Sequence, residues 1–359
     1  MIRAALRKMR TFQPAWWCRG PHAQSIFGGL FRPCSRLRLT RERLEMPDGD
    51  FLDIDFLENA SSNTNQETPL VLILHGLEGS SEAACVQSLL REIQRRGWNG
   101  AAMNMRMCSG ESNRLKQTYH SGKTEDLDFV VHDLIENKGC KMLHLVGFSI
   151  GGNIILKWLG ERGDKASQEI QTAAAVSVPY DLVKSVELMD QGFNREVYTR
   201  ALLRSLKSKV FAKEKRFPEA VSYPRVKRCR TFKEFDSWVT APLNGFKDEM
   251  DYWIKSSCRS FLKSIRVPTL LIHAEDDPFF SGRLLPMNEI RGSDYLQTLF
   301  LPEGGHLGFV AGRWPWKREL WLENTLLDFF SETRCIRSES ALPEVEPKTK
   351  SPCKSDHEG

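Results

Sequence analysis

The residues that could do chemistry begin at "GFSIG", positions 147–151, where an apolar run ends in a serine set between glycines. A serine hydroxyl is a weak nucleophile at neutral pH unless a base sits against it and a third group orients that base. Gly147, Ser149 and Gly151 form G-x-S-x-G after the run "KMLHLVGF" and before the helical pattern "GGNIILKWLGERG". That context predicts a tight, strained strand-to-helix turn that lifts Ser149 above the end of a sheet. Small residues suit it, because a Cβ at either glycine would crowd the crossing chain. The turn also aims the first amides of the helix at a reacting carbonyl, which makes the Ile150 N–H a candidate oxyanion donor. In isolation the pentapeptide reads equally as a glycine-rich turn whose serine only caps the helix, so its partners have to be found elsewhere.

An orienting acid is expected after a later strand, and "LLIHAEDDPFF" ends an apolar run in two aspartates. Asp277, just before Pro278, is the candidate, with Asp276 as the alternative; a plain turn after a strand would look the same. A base is expected one strand later. "FLPEGGHLGF" delivers His306 after a double glycine that lets the loop bring imidazole over the serine. His22 lies in the N-terminal arm, His357 in the tail, His144 and His273 within strands and His132 on a helix, so they fit less well. Ser149, Asp277 and His306 stand in the order Ser, Asp, His that marks the α/β-hydrolase arrangement. "LILHGLEGS" closes an earlier strand with His75, Gly76 and Gly79, and the Leu77 N–H is the second candidate oxyanion donor. His75 reads as a brace for that loop. An oxyanion donor contributes about 3 kcal/mol of transition-state stabilisation in known hydrolases.

The elements that must hold these residues alternate. "FLDIDFLE" has the period of a half-buried strand, and "PLVLILHGL", "GAAMNM" and "TAAAVSV" read as strands buried on both faces. "SEAACVQSLLREIQRRG", from Ser81 to Gly97, and "TEDLDFVVHDLIENKG" read as helices between them. The cadence predicts an α/β fold with a mostly parallel central sheet flanked by helices. It breaks between about Tyr180 and Ser264, where the composition is helical, and resumes with "VPTLLIHAEDDPF". The expected organisation is an N-terminal arm (1–40), a core (41–180 and 265–333), a helical lid insertion (181–264) and a disordered tail (334–359). The basic stretch from Arg200 to Lys233 reads as a solvated face of the lid, with anionic lipid headgroups as the other option. "PAWWC" and "GRWPW" read as aromatics packed under loops, with a lipid-contacting aromatic patch as the other option. Tyr119 and His120 in "YHSGKTEDL" could line the pocket or brace a loop, and neither is placed in the catalytic set.

Bulk properties exclude several classes. In 359 residues the chain has 41% hydrophobic residues and a formal charge of +5, with no nucleic-acid-binding signature. No apolar stretch reaches the roughly 18 to 20 residues that span a bilayer, and the opening segment lacks a signal-peptide core. Nine scattered cysteines without a C-x-x-C pair suggest neither a disulfide framework nor a zinc site. A cytoplasmic protein without metal or cofactor is expected, with no nucleic-acid partner and with room for peripheral contact at the inner membrane surface.

Beyond these readings, the chain resembles the YheT-like branch of the α/β-hydrolases, which includes abhydrolase-domain lipases of animals and embryogenesis-associated proteins of plants. The resemblance runs from about Phe12 to Phe330. It rests on "PHAQSIFGGLFRP", "RLEMPDGDFLDIDF", "HGLEGS", "RMCSGESNR", "YHSGKTEDL", "GFSIGGN", "EFDSWVTAPLNGF", "HAEDDPFF" and "GGHLGFV". It implies a carboxylic-ester hydrolase acting on a short-chain or acylglycerol-like ester without a cofactor. Nucleophile, acid and base then fall on Ser149, Asp277 and His306. Ser25 stands where the family commonly has threonine, and Ile150 where many relatives have leucine; neither change is expected to touch the triad. The same triad could run a thioesterase or amidase, and a non-catalytic binding protein on this fold is the rival from another class.

Overall fold

The computed structural model describes residues 11–30, 37–58 and 67–340, with side chains described as far as 333. An arm helix α1 (Pro21–Leu30) precedes strands β1 (Leu39–Glu45), β2 (Phe51–Leu57) and β3 (Leu70–Leu74). Then follow α2 (Ala84–Arg95), β4 (Asn99–Asn104), α3 (Thr124–His132), β5 (Leu143–Phe148), α4 (Ile150–Arg162) and β6 (Ile170–Val176). The first helix expected from Ser81 starts at Ala84, because residues 81–83 form a turn in which the Ser81 hydroxyl donates to Asp55. After an all-helical stretch come β7 (Thr269–Ala274), β8 (Leu296–Leu301), the hairpin β9 (Ala311–Trp314) and β10 (Lys317–Glu319), and α5 (Trp321–Ser340).

Eight strands form one sheet in the order β1-β2-β4-β3-β5-β6-β7-β8. β1, β2 and β4 pair antiparallel, and every pairing from β4 through β8 is parallel. The central strands are apolar because both faces are covered: β3, β5 and β7 are buried along their whole length. The strand order reverses at β3, so β4 lies on one side of it and β5 on the other. Crevices for ligands open at the C-terminal ends of strands at such a reversal. "HGLEGS" leaves β3 there and "GFSIGG" leaves β5.

Between β6 and β7 the helices Leu182–Met189, Arg200–Ala212 and Glu249–Ser256 dominate, with shorter turns between them. They bury their own apolar cluster around Leu203, Val226, Phe235 and Val239. The final helix runs through Ser340, seven residues into the segment expected to be a disordered tail, and the remainder of that segment (341–359) lies outside the described residues. No described helix is long and apolar enough to cross a membrane.

Candidate active site

Ser149 stands between β5 and α4, as the residue that precedes the helix, with φ 54° and ψ −119°. A non-glycine residue there stores on the order of 1–3 kcal/mol of backbone strain, and the surroundings over-determine it. The Ser149 N–H donates to the Val176 carbonyl at 2.9 Å. Gly151 lies so close to the end of β3 that a Cβ would come within 2.5 Å of the Leu74 and His75 carbonyl oxygens. The serine side chain is 6% exposed and lines a cavity of about 250 Å³ under the inserted helices. His306 lines the same cavity.

The candidate acid and base meet after β7 and β8. His306 Nδ1 is 2.8 Å from Asp277 Oδ2, while Asp277 Oδ1 accepts the N–H groups of Phe279 and Phe280. A buried carboxylate beside Nδ1 holds the proton there and leaves Nε2 as the basic nitrogen. Phe279 stacks on the imidazole at 4.1 Å between centroids and Phe280 meets it edge-on at 5.1 Å. Asp276 serves the loop backbone instead, where its Oδ1 accepts the Gly305 N–H at 2.8 Å. Burial pushes its carboxyl above the ordinary range, with the backbone bond from Gly305 opposing.

Three successive amides of the histidine loop are each held by a separate side chain. Gly305 donates to Asp276, His306 to Ser25 Oγ at 2.8 Å and Leu307 to Ser177 Oγ at 3.2 Å. Ser25 in turn donates to the Pro21 carbonyl, and Gln24 both accepts from the Val310 N–H and donates to the Val310 carbonyl. Ser25, at the position where the family commonly has threonine, therefore holds the backbone of His306 through a hydroxyl that both residue types carry. Gly305 has φ +60°, and a Cβ there would fall 2.5 Å from the Pro21 carbonyl, so only glycine lets α1 approach this closely.

The candidate oxyanion loop is braced by its own histidine. His75 Nε2 accepts the Met105 N–H at 3.1 Å, which leaves the proton on Nδ1 to donate to the Gly76 carbonyl at 2.7 Å. Burial lowers this imidazole to about 4, so it stays neutral. The Gly79 N–H holds the same carbonyl at 3.0 Å. Because the peptide is planar and trans, pinning the Gly76 carbonyl directs the Leu77 N–H the opposite way. Gly76 and Leu77 both line the cavity, and a Cβ on Gly76 would stand 3.3 Å from Ser149 Cβ. The Ile150 N–H begins α4 and has no acceptor within its own helix.

The segments "RMCSGESNR" and "YHSGKTEDL" brace the loops. The Tyr119 hydroxyl accepts the Glu78 N–H and donates to the Glu78 carboxylate, which also pairs with Lys209 of the insertion at 2.9 Å. Tyr119 thus braces the oxyanion loop and lines the cavity as well. His120 also lines it; burial holds that imidazole down to about 3, and its Nδ1 accepts the Gly122 N–H. Arg106 binds Asp126 through two nitrogens, with Asp50 and Asp48 beside it, and Asn113 bridges Asp50 to the backbone of Met107 and Phe51.

Two other expectations change. The basic stretch is not simply a solvated face: Lys209 turns inward to Glu78, and Lys213 donates to the carbonyls of Leu115 and Gln117, burial lowering it to about 8. The tryptophans are not all packed. Trp17 stacks edge-on against Phe27, whereas Trp16, Trp314 and Trp316 are 58%, 38% and 81% exposed. Among the described residues no group of His, Cys, Asp or Glu is placed to hold a metal ion.

With this geometry in view, the relatives are informative. Residues 69–312 match the α/β hydrolase fold family. YheT of Escherichia coli (strain K12), provisionally named an esterase, is 35% identical over 312 residues, which is 86% of this chain and 90% of that protein. Phospholipase ABHD3 of Mus musculus is 27% identical over 85% of this chain and 74% of its own length. Monoacylglycerol lipase of Saccharomyces cerevisiae is 29% identical over 70% of this chain and 57% of its own length. An eight-stranded, mostly parallel sheet, an elbow serine at its centre and these likenesses lead to one assignment: the chain belongs to the α/β-hydrolase family, in the YheT-like branch, a group of esterase- and lipase-type hydrolases.

Proposed function

We propose that the chain hydrolyses carboxylic esters with an apolar acyl group, of acylglycerol-like or shorter type, through Ser149, His306 and Asp277. The observation that carries this reading is the Asp277–His306 bond of 2.8 Å opening, with Ser149, onto one cavity. Leu182, Val186, Met189, Leu202 and Leu206 line that cavity from the inserted helices, an environment that suits an alkyl chain. In the reaction, Ser149 Oγ bonds to the ester carbonyl carbon as its proton passes to His306 Nε2. The Leu77 and Ile150 amides stabilise the oxyanion. The C–O bond to the alcohol breaks as Nε2 returns the proton, and water, deprotonated by the same nitrogen, frees the acid from the acyl-enzyme.

The test is hydrolysis of p-nitrophenyl esters of increasing acyl length together with fluorophosphonate labelling. Turnover that rises with chain length before falling is expected. A protein that neither labels nor turns over any of them would be a binding protein on this fold.

Ser25 provides a second test. Ser25→Ala leaves the His306 N–H without its acceptor, a buried loss of about 1–3 kcal/mol, and frees the loop that aims the imidazole. Misplacement of a catalytic group by about 1 Å costs on the order of a hundredfold. The alanine variant is therefore expected to lose about ten- to a hundredfold in kcat with little change in KM, and Ser25→Thr, which keeps the Oγ, to recover most of it. Equal kcat in all three proteins would remove the arm from the machinery.

A further inference from the structure

Asp236 is a buried carboxyl on the wall of the catalytic cavity, and the mechanism does not use it. It opens the π-helical turn Asp236–Thr240 of the insertion, a geometry that recurs at functional sites. Its oxygens accept from two neutral donors, the Thr240 hydroxyl at 2.6 Å and the Trp253 indole N–H at 2.8 Å. Among the described residues no cation pairs with it. The charged groups that act on it are the carboxyls of Asp190 and Glu249, and the Tyr252 phenol and the Cys229 thiol also feel its charge. Lys209, also on the cavity wall, is already paired with Glu78. A buried carboxylate without a counter-ion costs several kcal/mol, and such a group in a cleft is a candidate functional site.

The wall around it is aromatic, with Phe235, Tyr252 and Trp253 all lining the cavity. Aromatic side chains beside an anion make a favourable environment for a desolvated ammonium group. We propose that Asp236 forms a cation-recognising subsite, taking the ammonium group of a substrate whose ester lies against Ser149. This rests on the esterase reading and narrows its substrate class to amine-bearing esters. The Trp253 bond also ties the turn to the helix Glu249–Ser256, while the Thr240 bond closes the turn itself, so a purely structural role is the alternative, and it gives no charge discrimination.

Burial pushes the Asp236 carboxyl up to about 7, against the opposing bonds from Thr240 and Trp253. The subsite is therefore neutral well below pH 7 and anionic above it. The experiment compares kcat/KM for butyrylcholine and for its uncharged isostere 3,3-dimethylbutyl butyrate from pH 5.5 to 8.5. The expected result is a preference for the charged ester of about tenfold or more at high pH, fading as pH falls through about 7. Asp236→Asn is expected to bring the ratio to near one at every pH, whatever its effect on overall rate. Binding of the two esters to Ser149→Ala by calorimetry reads the subsite without turnover, which separates its failure from failure of the esterase reading. Equal binding there, or a ratio that Asp236→Asn leaves unchanged, overturns the proposal.

Discussion

Replacing Ser149 by alanine is expected to lower kcat by about a million-fold and to abolish fluorophosphonate labelling, with KM for a p-nitrophenyl ester nearly unchanged. The magnitude follows from how a triad works: without the nucleophile, base and acid have nothing to activate, and only the oxyanion donors and binding remain. Those contribute the residual rate, on the order of 10³–10⁴ over water. The substitution leaves the fold alone for a specific reason. Alanine carries the same Cβ into the φ 54° conformation, so the strain of the elbow is the same in both proteins. The hydroxyl removed faces the cavity, and the Ser149 amide keeps its bond to Val176. Retained labelling in the variant would mean that another nucleophile does the work.

Asp277→Asn is expected to cost about 10⁴ in kcat, the size of a tautomer error at this position. The carboxylate accepts from the imidazole on one oxygen and from two amides on the other. An asparagine keeps the amide contacts with its oxygen and turns its NH₂ toward Nδ1. That places the imidazole proton on Nε2, where it cannot receive the serine proton. Asp276→Asn is the control, because a neutral side-chain oxygen still accepts the Gly305 N–H. It is expected to cost less than about tenfold, so comparable losses in the two variants would reverse the assignment of the acid.

The contrast between these neighbouring aspartates shows where sequence reading is strong. The elbow and the candidate acid each follow a strand buried on both faces, legible as a short apolar run, and the candidate base follows the half-buried edge strand β8. The residue after such a run stands at the sheet's C-terminal edge, so the order Ser, Asp, His places all three at one crevice. His75 as a brace was legible for the same reason. Ser25 was not: its bond to His306 spans 281 positions, and nothing local in "PHAQSIFGG" announces the loop it holds. Asp236 was missed because helical composition in an insertion says nothing about which face meets the cavity. The inward lysines were missed too, since Lys209 and Lys213 look like solvated charge until Glu78 and the carbonyls of Leu115 and Gln117 come beneath them.

Architecture, the three chemical groups and the strand ends that carry them are written in the order of the residues, because each depends on local periodicity and on glycines whose backbone demands are local. Three things are not: which oxygen of which aspartate meets the imidazole, which arm residue holds the backbone of His306, and that a buried carboxyl without a cationic partner among the described residues lies on the cavity wall. Those depend on distances between segments far apart in the chain, and such distances are set by how the helices pack over the sheet rather than by the composition of either partner.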